Sequence, residues 1–473
     1  MQTSLLLATG LALATASVAT AQAAHSQLFP AISPSARAGL HGVSDGAGMW
    51  VFGGLTLGGT VPQFSNEIWR FDGAAWANLT PATGSPPPRD WYASAWDAAR
   101  SRFVLFGGRG YPTGTTTLGD YGDTWEFDGA TWTQVATPTG PSARRWSAMV
   151  FDPTLGKCVL FGGSVNGSTF LGDTWTWDGA TWTQLTPAAS PSPRARGWLE
   201  WDSLRNRAIY ACGKNTTSNL ALGETWEWSG GTWSQVVTAT QPGWNAGVGL
   251  VAFGMTYDPF RDRMVIVGGT RTTASVSPQT WEFDGVDWIL RPTGALPGRT
   301  GPALAFVPAT GKTYTFGGSS GTLTIGDTWQ YQTNSFPAFA PFGAGCAGAA
   351  GTLQLAESGP AWLGATHRTA VANCDPAGFQ LGLIGLSNTA WNGLPLPFPL
   401  AAAVATTSPS CLLLVSPDIS NLLTAVAGVA EMALPIPNDV ALAGFVVHEQ
   451  VLQFDLSFTF SASGGASLTI GAK

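Results

Sequence analysis

One pattern recurs six times along this chain, at intervals of about 50 residues. Each copy opens with a Pro-rich turn, often with an Arg. An apolar strand ending in Asp or Pro follows, then a second apolar strand ending in Gly-Gly. A variable loop leads to an acid-x-Trp strand, and a second Trp closes the unit. A unit this short cannot bury its apolar face alone, so the copies must stack on one another.

The glycine pairs are Gly53-Gly54, Gly107-Gly108, Gly162-Gly163, Gly268-Gly269 and Gly317-Gly318, with Cys212-Gly213 in the fourth copy. The tryptophans pair as Trp69/Trp76, Trp125/Trp132, Trp175/Trp182, Trp226/Trp233 and Trp281/Trp288, while the sixth copy has Trp329 alone. Four strands, a to d, fit each copy. Strand b (Phe103-Val104-Leu105-Phe106, for example) is apolar on both faces, as a strand covered on both sides must be. Asp-Gly at 72–73, 128–129, 178–179 and 284–285 predicts tight hairpins between strands c and d, with Ser229-Gly230 in the fourth copy. Four strands in about 50 residues make one propeller blade.

On these residues the stretch from about 25 to 335 resembles the kelch repeat, whose propellers include the central domain of galactose oxidase. The resemblance implies a six-bladed kelch-type propeller; with the strand-like runs after residue 343, the expected fold is all-β, the propeller followed by a small antiparallel β-sandwich-like domain. It implies no oxidase chemistry. A copper site needs clustered histidines and tyrosines, and after residue 24 only His25, His41, His367 and His448 occur, none closely paired. The paired tryptophans read as structural wedges between blades, each worth about 4–6 kcal/mol of gross burial.

The sixth copy lacks strand d. The N-terminus offers a spare: Gln27-Leu28-Phe29-Pro30-Ala31-Ile32-Ser33-Pro34 parallels Gln184-Leu185-Thr186-Pro187-Ala188-Ala189-Ser190-Pro191. Residues 25–29 are therefore expected to complete the last blade and leave no open sheet edge.

In a four-strand meander the a–b and c–d turns share one face, and the b–c loops and d–a links share the other. The b–c loops vary in length and content, and variable loops on a rigid frame are where binding resides. Tyr111, Tyr121, Asn166, Phe170, Asn215 and Arg271 are the candidate contacts there. The d–a links carry Arg37, Arg89, Arg144, Arg194 and Arg299, opposite acids Glu67, Asp123, Asp173, Glu224 and Asp327 that open the c strands. The fifth copy loses both, with Trp244-Asn245 near the Arg position and Gln279 at the acid position. Joint loss suggests structural ion pairs, and a ligand-binding ring is the other reading. Asp120 and Asp123 are a candidate carboxylate pair for glycoside chemistry.

The net charge of −7 and only four lysines argue against nucleic acid and against a polybasic membrane patch. No metal site or cofactor is expected, since no HExxH, CxxC or EF-hand spacing appears. Two other matches are accidents of glycine content. Gly317-Gly318-Ser319-Ser320-Gly321 is a glycine pair running into a loop, and Gly343, Gly345 and Gly348 have no βαβ unit around them. Residues 1–23 read as a signal peptide, with an apolar stretch Leu5 to Ala19 and an Ala21-Gln22-Ala23 cleavage site. No later apolar run is long enough to span a membrane. The expected location is secreted or at the cell envelope, where disulfides are permitted.

The expected domains are the propeller at 24–335, a linker at 336–342 and a β domain at 343–473. In the last, Leu412 to Val415, Phe445 to Val447 and Val451 to Phe460 read as strands, and Leu422 to Met432 as a short helix. Gly345-Cys346, Ser410-Cys411-Leu412 and Leu468-Thr469-Ile470-Gly471 resemble C-terminal modules of exported bacterial proteins. Of five cysteines, Cys346 and Cys411 are the favoured disulfide pair. The functional expectation is an exported, non-catalytic module binding a protein or glycan on the b–c/d–a face. The alternatives are a carbohydrate-active lyase or hydrolase and a structural envelope protein.

Overall fold

The computed structural model describes residues 24–57, 62–112, 114–215, 221–245, 248–270, 276–292, 294–332, 338–343, 346–348, 351–359, 366–391, 394–400, 411–436, 446–454 and 460–469. The chain divides into two compact units, Ala24–Gln332 and a second built from Thr333–Lys473 together with residues 1–23. The signal-peptide expectation lies outside the described residues.

The first unit holds six four-stranded antiparallel sheets among the described residues. Blade 1 contains Gly42–Ser44, Met49–Phe52, Ile68–Phe71 and Trp76–Asn78. Blade 2 contains Ala93–Asp97, Arg102–Phe106, Thr124–Phe127 and Trp132–Val135. Blade 3 contains Ala148–Asp152, Lys157–Phe161, Thr174–Trp177 and Trp182–Leu185. Blade 4 contains Trp198–Asp202, Arg207–Ala211, Thr225–Ser229 and Thr232–Val236. Blade 5 contains Gly254–Asp258, Arg263–Val267, Thr280–Phe283 and Trp288–Arg291. Blade 6 contains Ala303–Val307, Lys312–Phe316 and Thr328–Gln332, and Ala24–Leu28 is its outermost strand. The innermost strands touch in cyclic order, blade 6 meeting blade 1, so the sheets close into a ring.

Ala24–Leu28 pairs antiparallel with Thr328–Gln332, from Ala24↔Gln332 to Leu28↔Thr328. This sits one residue earlier than the sequence suggested, and Phe29 beyond it is exposed. The second strands are buried on both faces, as their double-sided apolar pattern requires.

The outermost Trp of each blade does more than fill space. Its indole N–H donates to the threonine that starts the third strand of the preceding blade. The bonds are Trp76 to Thr328 (3.0 Å), Trp182 to Thr124 (2.9 Å), Trp233 to Thr174 (3.0 Å) and Trp288 to Thr225 (2.8 Å). In blade 6 His25 stands where the missing Trp would be, and its Nε2 lies 2.8 Å from Thr280 Oγ1. Blade 1 has Ile68 at the threonine position, so the buried Trp132 Nε1 finds no partner among the described residues. A buried donor that finds an acceptor fixes its ring, whereas one left without an acceptor costs about 1–3 kcal/mol.

The c–d turns are wider than the Asp-Gly pairs alone suggest. In four blades the loop is Asp-Gly-x-x, and the aspartate closes it by accepting from two backbone amides; Asp128 Oδ1 takes those of Ala130 (2.9 Å) and Thr131 (2.8 Å). Only in blade 4 is the turn two residues long. There Ser229 pairs with Thr232, and Gly230 and Gly231 both take positive φ, at 59° and 82°.

The second unit has a three-stranded sheet (Gln354–Gly359, Thr366–Ala372, Val429–Pro435) and a six-stranded one containing Ala338–Phe342, Phe379–Gly385, Ile419–Leu423, Val446–Phe454, Phe460–Ala462 and Gly465–Thr469. Val371, Ala430 and Met432 of the first sheet pack with Ile384, Val451 and Leu468 of the second in one core, so the unit is a sandwich. Three expectations change here. Leu422 to Met432 is no helix. It spans the end of one strand and most of another, because Gly428 turns the chain at φ 81° and side chains alternate in and out from Val429 to Pro435. The linker at 336–342 contains the strand Ala338–Phe342, paired with Gly465–Thr469. The run Val451 to Phe460 is split, since Val446–Phe454 ends before Phe460–Ala462 pairs back on it. Cys346 and Cys411 form a disulfide, while Cys158, Cys212 and Cys374 are buried free thiols.

Removing residues 24–28 exposes the third strand of blade 6 along its full edge. The melting temperature is then expected to fall by more than about 5 °C, read by differential scanning calorimetry. Trp182→Phe and Trp132→Phe remove similar area, but only the first breaks a hydrogen bond. Chemical denaturation should show Trp182→Phe to be the more costly by about 1 kcal/mol.

Candidate functional site

The b–c/d–a face is built on a repeated anchor. Arg37, Arg89, Arg144, Arg194 and Arg299 are buried, and each guanidinium holds the acid of its own blade: Glu67 (2.5 Å), Asp123 (2.5 Å), Asp173 (2.6 Å), Glu224 (2.7 Å) and Asp327 (2.7 Å). The same carboxylates accept from the indoles of Trp69, Trp125, Trp175, Trp226 and Trp329. The arginines also donate to the carbonyl of the first residue of each glycine pair, as Arg144 does to Gly162 (3.0 Å). Burial alone would raise the carboxyls of Glu67, Asp123, Asp173 and Glu224. The guanidinium and indole hydrogen bonds hold them below their ordinary range. These five arginines are thus spent within their blades and do not form an open ring. In blade 5 the arginine position is Leu250, not Trp244-Asn245: its carbonyl accepts from Gly213 N–H as the arginine carbonyls do from the equivalent glycines. Gln279 Oε1 then receives the Trp281 indole at 3.3 Å and the Ser277 hydroxyl at 3.5 Å in place of a guanidinium.

Two residues beyond each arginine position the chain enters the left-handed region, at Gly39, Trp91, Trp146, Arg196, Ala252 and Gly301, with φ between 52° and 72°. Their backbones form a closed ring of hydrogen bonds around the axis. Each N–H donates to the same position one blade back, at 2.7–3.0 Å, and Gly39 N–H reaches Gly301 to close it. Left-handed backbone is costly for residues with a Cβ, so four such residues in one ring mark a constrained site.

The decoration of this ring is one-sided. Blades 5, 6 and 1 present Ala252, Gly301 and Gly39, whereas blades 2 to 4 present Trp91, Trp146 and Arg196. Beside them stand Asp90, Arg109, Asp120, Arg145 and Lys214. Arg109 sits between Asp90 and Asp120 in a three-stranded patch and bonds Asp90 at 2.6 and 3.1 Å. Arg145 Nε lies 2.9 Å from Asp120 Oδ1, without the angle of a hydrogen bond, and Asp120 Oδ2 accepts from Asn166 N–H at 2.6 Å. The acids are buried and the arginines partly exposed, so cations lie over an acidic floor. Burial pushes the Asp90 carboxyl up to about 6 against the pull of Arg109.

Arg196 differs from every arginine above. It stacks on Trp146 at 3.8 Å, and among the described residues no carboxylate pairs with it. Burial, with Arg109 and Arg145 nearby, draws its pKa down to about 10. Three arginines (Arg109, Arg145, Arg196) against two acids (Asp90, Asp120) leave this cluster at 3 − 2 = +1 in a chain of net charge −7, and Lys214 lies on the segment bridged to Ala195. Among the described residues no group of three or more His, Cys, Asp and Glu side chains is placed to hold a metal ion.

Below the ring, His41 of blade 1 stacks on Trp198 of blade 4 across the axis, with ring centroids 4.1 Å apart. The pair separates the mouth from a chamber of about 330 Å³ that opens at the a–b turns. Burial drops the His41 pKa to about 3, so the partition is neutral.

A family model of the KLHDC2/KLHL20/DRC7 kelch-repeat domain matches residues 17–213. The solved structure of YjhT covers 64% of this chain and 99% of its own, at a TM-score of 0.50 and 14% identity. Ala24–Gln332 is a kelch-repeat β-propeller. No curated protein matches the chain in sequence. Among the described residues no helix is long and apolar enough to cross a membrane.

The kelch propeller distributes the predicted contacts unevenly. Tyr111 is half-buried and meets Phe64 edge-on at 5.5 Å, beside Arg109. Asn166 is exposed and touches Asp120, while Phe170 and Asn215 are half-buried. Tyr121 is no surface contact: it is buried under the Arg89 guanidinium, 3.9 Å away. Arg271 lies outside the described residues. Asp120 and Asp123 do not act as a pair, since Asp123 is bound to Arg89 and Trp125 and Asp120 to the Arg145 side. Sequence reading missed Trp91, Trp146, Arg196 and Lys214. For the first three the signal was a column two residues past the arginines in which the six copies disagree, and Lys214 follows the glycine of the fourth copy's pair.

Arg144→Ala removes a buried guanidinium and leaves the half-buried Asp173 carboxylate unpaired, and should cost about 3 kcal/mol of stability, whereas Arg196→Ala should cost under about 1 kcal/mol. Urea titration of both variants checks this contrast.

Proposed function

We propose that this chain is an exported, non-catalytic binding protein. Its kelch propeller takes a protein or glycan ligand on the b–c/d–a face, with acidic groups of that ligand docking on Arg109, Arg145, Arg196 and Lys214. The observation that carries this reading is Arg196, a partly exposed guanidinium stacked on Trp146 with no carboxylate of its own among the described residues. A guanidinium fork on an indole platform suits a carboxylate or sulfate and adds a flat apolar surface beside it. The variable b–c loops around the mouth supply the rest of the contact area. Export is supported by the apolar N-terminal stretch and its cleavage-type Ala-Gln-Ala; cleavage after it would leave a mature terminus near Ala24, at the start of the closing strand.

A glycan array and a pull-down with residues 24–473 test the reading. Bound ligands should be acidic, and binding should weaken as salt rises from 50 to about 500 mM. Arg196→Ala should weaken binding roughly tenfold or more with an unchanged melting temperature. Equal binding of neutral ligands, or no effect of Arg196→Ala, would overturn it. Mass spectrometry of the exported protein should find an N-terminus near Ala24.

A further inference from the structure

The chamber on the opposite side of the His41–Trp198 partition has its own chemistry. It is lined by the innermost strands of all six blades. At the equivalent register position, the third residue of the strand in blades 2 to 6, stand Val43, Ala95, Val150, Glu200, Thr256 and Ala305 in blades 1 to 6, so one blade in six carries a charge there. The next residue outward is aromatic in five blades: Trp96, Phe151, Trp201, Tyr257 and Phe306. Among the described residues no lysine or arginine lines the chamber. A single carboxyl thus stands in an aromatic-walled, mostly apolar space with no cation to balance it.

We propose that this chamber binds a small organic cation, a protonated amine or quaternary ammonium group, whose charge is met by the Glu200 carboxylate and whose methyl or methylene groups lie against the indoles of Trp96 and Trp201. Aromatic faces attract cations through their ring quadrupole, and a desolvated carboxylate adds the charge. One acid and one monovalent cation neutralise each other, which a neutral sugar would not achieve. A sugar would also need more hydrogen-bonding groups than Glu200 and the few serine and threonine hydroxyls here provide. The site is independent of the anion-binding mouth, from which the His41–Trp198 stack divides it.

Burial holds Glu200 up to about 7, opposed only by donation from Trp201 N–H and the Trp198 side chain. The other titratable groups facing it are His41 from blade 1 and Tyr257 from blade 5. Blades 2, 3 and 6 present none, and Asp202 on its own strand is tied to Arg205 and Arg207. A bound cation favours the ionised carboxylate, so affinity should rise as pH climbs through about 7 and level off above it.

Choline and its uncharged isostere 3,3-dimethylbutan-1-ol, titrated calorimetrically into residues 24–473 at pH 8.5 and 5.5, provide the test. Choline should bind saturably at pH 8.5 and at least roughly tenfold more weakly at pH 5.5, and the alcohol should bind more weakly than choline at pH 8.5. Glu200→Gln should abolish the preference for choline while keeping the melting temperature. Should that variant fail to fold, the wild-type comparison of choline with the alcohol still decides. No saturable choline binding, equal binding of choline and alcohol at pH 8.5, or full choline binding by a folded Glu200→Gln would each overturn the proposal.

Discussion

The ring of six amide-to-carbonyl hydrogen bonds at Gly39, Trp91, Trp146, Arg196, Ala252 and Gly301 governs everything on the axis. It ties every blade to its neighbour at one radius, and that is possible only because each residue accepts left-handed backbone. Once the radius is fixed, the side chains at those positions have few places to go. Trp91 lies over Gly39 and Gly301; a Cβ at Gly301 would collide with the indole and one at Gly39 would crowd it, and Trp146 carries Arg196 on its face. The small residues of three blades therefore make room for the large residues of the other three.

The outer shell obeys a different economy. Indole N–H groups bridge from blade to blade through threonines, and guanidinium–carboxylate–indole triads lock the b–c/d–a side within each blade. These triads absorb five arginines and their partner acids almost completely. What is left to meet a ligand is the minority of charge outside the repeat: Arg196 and its neighbours above the His41–Trp198 partition, and Glu200 below it. A rigid, nearly uniform frame lets a single unbalanced side chain define a site.

The blades were legible because repetition amplifies weak signals: five glycine pairs, one Cys-Gly and eleven tryptophans at fixed offsets outweigh any local ambiguity. The closing strand was legible for the same reason, as a spare fourth strand with a matching Pro-Ser tail. The paired loss of Arg and acid in the fifth copy pointed to the ion pairs, although the position belonged to Leu250, since an irregular pairing at Gly243–Asn245 and Val248–Gly249 shifts the count. The axial sites were not legible from the uniform columns. Trp91, Trp146, Arg196 and Glu200 occupy columns where the copies differ, and only the ring geometry shows that these columns converge. In the second unit no repeat exists, and an apolar run around Leu422 to Met432 fits helix and strand alike until Gly428 is seen to turn it.

Joining Ala24–Leu28 to Thr328–Gln332 makes the beginning and the end of the propeller mutually dependent. Ser26 and Gln330, hydrogen-bonded at 2.9 Å, are 304 positions apart in sequence. A chain made from its N-terminus onward must keep its first strand unpaired until its last blade exists, so the circle cannot be sealed progressively. Assembly is expected to hinge on one late, long-range encounter, whose loop-closure entropy alone is on the order of 5 kcal/mol before the intervening blades order the path. Until that moment the molecule is an open arc with two sticky ends, the stage at which one copy can lend its first strand to another.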